Sequence, residues 1–276
     1  MRIRISHTTS YRYDTPPTSV TQLLRLTPRH HDGQYVMDWR VDLSADCQLH
    51  QHEDAFGNIT HSFTAEGPLD ALAVSVEGEV DTQETHGVVR GTLERFPPAL
   101  YLRETALTMP DSALIDFANT VRANAVTDDP LALMHALLGA VHREMAFDTD
   151  PTHAATTAAE AFSLQRGVCQ DLTHVYIAAA RHLGMPARYV SGHLWRADGV
   201  TAQEAGHAWA EVHVDKLGWV GFDPANGIST TEAHVRVAVG LDYLGAAPVR
   251  GSRHGGGGES MKVAVQVAQA RQQAQT

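Results

Sequence analysis

Gln165-Arg166-Gly167-Val168-Cys169-Gln170-Asp171, followed by the run from Leu172 to Leu183, decides how the rest of the chain is read. Leu172, Val175, Tyr176, Ala179 and Leu183 recur at i, i+3, i+4, i+7 and i+11, one apolar stripe at the helical period. Arg181 and His182 stand as last-turn cations, and Gly184 and Pro186 stop the run. The spacing therefore predicts an amphipathic helix that opens at Cys169 after a glycine turn. One of only two cysteines in 276 residues then sits where unpaired N–H groups and the helix dipole favour negative charge. That is a setting for a nucleophile, but a free cysteine is more often a small buried hydrophobe, so its partners must decide.

The chain leading to Cys169 reads as helical. Asp111 or Ser112 caps a helix to about Ala123. Asp129 caps a second with Pro130 at its first position and Leu131, Met134, Leu138, Val141 and Met145 on one face. Thr157-Ala158-Ala159-Glu160 fits a capping box that opens a short helix ending at Gly167. After Pro186 the period changes to two. Tyr189–Trp195, Ala208–Val214, Trp219–Asp223, Val235–Val239 and Lys262–Val267 are strand candidates, and the five glycines within 251–258 read as a flexible connector. Helices followed by an antiparallel sheet imply an α+β fold.

Ahead of the Phe96-Pro97-Pro98 break, the chain is β-rich. Its strand candidates include Arg2–Tyr13, Met37–Leu43, Ile59–Thr64 and Ala71–Val80, with turns at Asp54-Ala55-Phe56-Gly57-Asn58 and Glu66-Gly67-Pro68. The expected division is a β-rich domain over 1–98, a catalytic domain over 99–268 and a disordered tail over 269–276.

Within 206–214, Ala208, Ala210, Val212 and Val214 share one strand face while His207, Trp209, Glu211 and His213 share the other. Asp223 closes the next strand and is biased to extended backbone by Pro224. A hairpin sets the two strands side by side, and a carboxylate beside a histidine fixes the tautomer and orientation of the ring. Packed on the head of the Cys169 helix, they complete a Cys169, His207, Asp223 set. His213 is a competing base on the same face, but it lies roughly 20 Å further along the strand, so both cannot face Cys169; His174 points about 140° around the helix from Cys169 and is discounted. Trp209 is a candidate wall of the substrate cleft.

Four blocks in order carry a family resemblance: Gly167-Val168-Cys169-Gln170-Asp171; Gly184 to Gly192; His207-Ala208-Trp209-Ala210-Glu211-Val212; and Gly218-Trp219-Val220-Gly221-Phe222-Asp223-Pro224. Together they resemble the bacterial transglutaminase-like cysteine proteases. Tyr11-Arg12-Tyr13-Asp14 and Asp54–Asn58 resemble the β-rich region that precedes that core. The resemblance implies a papain-like core with Cys169 as nucleophile, His207 as base and Asp223 as orienting acid. It also implies thioester acyl transfer, with hydrolysis of a peptide or amide bond ahead of amine transfer. A non-catalytic binding module is the competing class. Ala225 departs from the threonine many relatives carry after Asp-Pro.

A formal net charge of −11 opposes binding to nucleic acid or anionic lipid. The N-terminus lacks the apolar run of a secretion signal and no stretch is long enough to span a bilayer, so a cytoplasmic chain acting on a peptide, protein or amide is expected. The pairs His30-His31 and His50/His52 lack a converging third ligand, so neither a metal nor a cofactor is expected. Most of the 17 histidines are expected at the surface.

Overall fold

The computed structural model describes residues 1–126, 128–150 and 152–270. Its first half contains β1 (Arg2–Tyr13), β2 (Ser19–Thr27), β3 (Gln34–Leu43), β4 (His50–Glu53), β5 (Ile59–Glu66), β6 (Ala71–Thr82) and β7 (Val88–Val89). The middle contains α1 (Ser112–Asn124), α2 (Pro130–Glu144), β8 (Ala146–Phe147), α3 (Ala158–Leu164), β9 (Arg166–Gly167) and α4 (Cys169–His182). There follow β10 (Ala187–Leu194), β11 (Ala202–Gln203), β12 (His207–Val214), β13 (Gly218–Asp223), β14 (Ile228–Ser229) and β15 (His234–Gly240). The chain closes with α5 (Tyr243–Ala246), β16 (Val249–His254) and β17 (Glu259–Gln269).

The helix starts follow from local chemistry. Asp111 accepts the Leu114 N–H at 2.9 Å, Asp129 accepts that of Leu131 at 3.2 Å, and Thr157 and Glu160 form the reciprocal capping box. The central sheet runs β14-β13-β12-β10-β15, with β7 also on β13, and α4 lies across β10 and β12. Ala208, Ala210, Val212 and Val214 form the face that receives the helix, since their small side chains let it approach. α4 is not amphipathic in its surroundings: every residue from Asp171 to Arg181 is buried, because α1, α2 and α3 cover the side the sheet leaves open. Arg181, the last-turn cation, is buried and donates to the carbonyls of Tyr101, Ala187 and Leu241 and to the Thr108 hydroxyl.

The division at residue 98 needs correction. β17 pairs with β1 along its length, from Ile3 opposite Gln269 to Tyr13 opposite Glu259, and β16 pairs with β2. The β-sandwich is therefore built from both ends of the chain, as sheets β11-β17-β1-β6-β3 and β16-β2-β5-β4. Alternation identified β17 as a strand, but β1 offers an unpaired edge that only a distant segment fills. The first half of the glycine-rich connector, residues 251–254, is strand. Gly251 lies so close to β2 that a Cβ would stand 2.6 Å from the Thr21 carbonyl, and only 255–258 turn the hairpin. Gln269 of the expected tail closes β17, and 271–276 lie outside the described residues.

The Asp54–Asn58 turn docks the sandwich onto the back of the central sheet. Asp54 Oδ1 accepts the N–H groups of Phe56 and Asn58, and its Oδ2 accepts from Arg25 and the Asn58 amide. Asn58 is thereby aimed at β15, where it donates to the Val239 carbonyl and accepts the Val239 N–H, each at 2.8 Å, as a strand would. Phe56 packs against Val190, Trp209 and Val239. Beside it, Glu211 lies fully buried between Arg188 at 2.6 Å and Arg236 at 2.8 Å. Burial would raise its carboxyl, and the two guanidinium groups override this and hold it down at about 2.

Nine of the histidines are exposed, in line with the expectation, but five are buried. Among these, His7, His174 and His193 each have an Nδ1 with no partner among the described residues. Burial lowers His7 and His174 to about 4 and His193 to about 3. Above pH 6.5 these rings are neutral in both states and stability is whole. Below it the unfolded chain binds protons that the fold refuses, and stability is lost as pH falls towards 4. Each ring contributes a slope of about 1.4 kcal/mol per pH unit. The urea midpoint should therefore fall steeply between pH 6.5 and 5, before most carboxylates titrate, and a flat midpoint there contradicts the assignment.

Candidate active site

α4 begins in a fixed setting. Val168 is extended, and its N–H is accepted by Asp171 Oδ2 at 2.8 Å, which also accepts the Thr152 hydroxyl at 2.7 Å. The first intrahelical bonds run from the N–H groups of Asp171 and Leu172 to Val168, so those of Cys169 and Gln170 precede them at the open end of the helix. Asp171 thus caps the helix that presents the sulfur. The residue that turns the chain is Gln165, left-handed at φ 53°, rather than Gly167. Gly167 is needed for a different reason, since a Cβ there would lie 2.6–2.8 Å from the Asp171 carboxyl. α3 accordingly stops at Leu164, and Arg166-Gly167 pairs with Ala146-Phe147 to carry the chain to Cys169.

β12 and β13 form the expected antiparallel pair, which brings His207 and Asp223 together: Nε2 to Oδ2 is 2.7 Å, with side-chain exposures of 11% and 0%. Cys169 is half-buried at the head of α4 and stands beside the ring. With Nε2 committed to Asp223, Nδ1 is the nitrogen left to serve the thiol. Burial alone would lower His207, but the facing carboxylate and then the sulfur reverse this and raise it to about 10. Asp223 is held far below the usual carboxylate range: burial opposes ionisation, and His207 and His234 overcome it.

Three features escape the sequence reading. His234, at the start of β15, places its Nε2 3.1 Å from Asp223 Oδ2. Asn226 folds back over the Asp223-Pro224-Ala225 turn, donating its amide to Oδ2 at 2.7 Å and its backbone N–H to Oδ1 at 3.2 Å. Trp209 is corrected from cleft wall to floor: it is 2% exposed, meets His234 edge-on at 5.2 Å and fills the space over Gly192, where a Cβ would stand 2.6 Å from its ring. His174 is spent elsewhere, its Nε2 accepting the Tyr243 N–H.

His207 Nε2, Asp223 Oδ2 and His234 Nε2 all lie within 4.8 Å of one another, a spacing that invites comparison with a metal site. The donor chemistry does not suit one. The Thr231 N–H donates to His234 Nδ1 at 3.1 Å, which puts the ring proton on Nε2, where a cation would need a lone pair. The separations of 2.7 and 3.1 Å are those of N–H groups donating to one carboxylate oxygen.

Comparison with known proteins agrees with this architecture. Residues 3–81 match the bacterial transglutaminase-like N-terminal region, and residues 116–224 match the transglutaminase-like superfamily. An uncharacterized protein of Mycobacterium leprae is 28% identical over 96% of this chain and 98% of its own length. One from Mycobacterium tuberculosis is 27% identical over 91% and 87%. A solved structure from Cytophaga hutchinsonii, described as "a Putative Cysteine Protease", superposes with a TM-score of 0.78 at 17% identity, over 99% of this chain and 92% of that one. The chain belongs to the transglutaminase-like superfamily, as a core of that fold joined to the bacterial transglutaminase-like N-terminal region.

Proposed function

We propose that this protein is a thiol-dependent acyl-transfer enzyme that hydrolyses a peptide or amide bond through Cys169, His207 and Asp223. The observation that carries the reading is the 2.7 Å bond from His207 to a fully buried Asp223, formed beside a cysteine at the open head of a helix. With the Cys169 proton already held on His207 Nδ1, the sulfur bonds to the substrate carbonyl carbon, and Asp223 stabilises the imidazolium. N–H groups at the head of α4 are suited to receive the developing oxyanion, a contribution of about 3 kcal/mol per donor where it has been measured. The C–N bond then breaks, with the imidazolium proton going to the departing amine, and a thioester remains. Water gives a proton to His207 as it attacks, the C–S bond breaks with its electron pair returning to the sulfur beside the re-formed imidazolium, and the acid is released.

The substrate in this reading is a peptide, protein or amide. The compartment is the cytoplasm, where free thiols such as Cys47 and Cys169 persist. No helix among the described residues is long and apolar enough to cross a membrane. The test is a screen of peptide and glutamine-amide substrates with and without a primary amine. Acid and ammonia or amine released without incorporation are expected. Incorporation of the amine would replace hydrolysis by transamidation. No turnover of either kind, with Cys169 unreactive towards alkylation, would leave a binding module.

A further inference from the structure

We propose that His234 is a positioning residue: its Nε2–H, aimed by the backbone N–H of Thr231 behind it, pins and partly neutralises the carboxylate that orients His207. This deepens the proposed function and rests on it for the role of His207. His234 lies beyond the matched core, which ends at residue 224, on a strand that reaches the site only because β15 pairs with β10. The geometry fixes its chemistry. Its side chain is 2% exposed, Nδ1 accepts the Thr231 N–H at 3.1 Å, and Nε2–H donates to Asp223 Oδ2 at 3.1 Å. Trp209 closes the side of the ring.

Oδ2 is therefore shared between two imidazoles and the Asn226 amide. Each donor holds the carboxylate in place and draws on its charge, which limits how tightly it retains the proton of His207. Among the described residues, Cys169 on α4 and His193 on β10 are titratable groups that also act on His207. In the turn before His234, Glu232 is engaged with the Met1 ammonium.

The proposal is tested on the full chain by following the His207 ring in nitrogen-15-histidine-labelled protein, as wild type, His234→Phe and His234→Gln. Phenylalanine keeps the ring shape but removes the donor, while glutamine restores an N–H near the Nε2 position. In His234→Phe, the His207 titration should move up by about one pH unit, with the alkaline limb of kcat/KM following it, and His234→Gln should move it back. An unchanged His207 titration in a folded His234→Phe overturns the proposal, as does failure of glutamine to restore it. If His234→Phe does not fold, the wild-type spectrum decides: the His234 ring should carry its proton on Nε2 and none on Nδ1, as the Thr231 N–H donating to Nδ1 requires, and an Nδ1-protonated ring refutes the assignment. The nitrogen-15 readouts need no turnover, so they remain decisive if the wild type proves inactive on every substrate, an outcome that counts against the function alone.

Discussion

Cys169→Ala should leave the chain folded and reduce turnover by roughly 10⁴- to 10⁶-fold, the range seen when the nucleophile of an acyl-transfer triad is removed. The fold should survive for local reasons. Cys169 is half-buried at the first position of α4, while the cap is made by Asp171 on Val168 and Thr152, and none of those contacts involves the sulfur. Alanine is the best helix former and removes a single heavy atom, so the unfolding midpoint should change little. The two cysteines give an internal control. Burial and the neighbouring Asp46 push the Cys47 thiol up, so iodoacetamide at neutral pH should label Cys169 and block turnover while sparing Cys47. The measurements are kcat/KM, circular dichroism and mass mapping of the label. A folded alanine variant with full activity would remove Cys169 from the mechanism.

Local chemistry was legible in the sequence and long-range pairing was not. Asp111, Asp129 and Thr157 announced their helices because a cap depends on three or four consecutive residues. His207 and Asp223 could be placed together because a short hairpin joins their strands, so spacing along the chain fixed spacing in space. His234 gave no comparable signal. It enters through β15, which pairs with β10 and not with its neighbour in sequence, and a histidine ahead of an apolar strand is unremarkable. The same blindness assigned β17 to the wrong unit, since its eligibility to pair with β1 is written in β1's unfilled edge. Gly167 and Gln165 exchange roles for a subtler reason: glycine was read as the turn residue, whereas its missing side chain makes room for the Asp171 cap.

The N-terminal sandwich acquires a physical role from these contacts. Asn58 completes the hydrogen bonding of Val239 on β15, and Phe56 packs on Trp209, which floors the two imidazoles. The sandwich therefore braces the strand that delivers His234 and the ring beneath His207. A core cut free at residue 98 would lose that brace together with the partners of β16 and β17.

Asp223→Asn should cost about 10²- to 10⁴-fold in kcat and move the alkaline limb of the pH profile, two effects with one cause. The carboxylate accepts N–H groups from both imidazoles on Oδ2, and an amide oxygen can still accept them, so the site should stay assembled. What disappears is the charge. Burial on its own lowers His207, and the Asp223 carboxylate is the main influence that raises it to about 10. Without that charge the ring should fall below its ordinary 6.5, and at neutral pH there is no imidazolium to protonate the departing amine. The alkaline limb should therefore shift from near pH 10 to below pH 7. Stability changes with the opposite dependence from that of the buried neutral histidines. A raised His207 stabilises the wild type fully below pH 6.5 and loses that contribution as pH climbs through 10, so the asparagine variant should show a flatter stability profile over that interval. Rate against pH and urea midpoints at pH 6 and 10 measure both. An asparagine variant whose alkaline limb stays near pH 10 would mean that some other group holds the proton on His207.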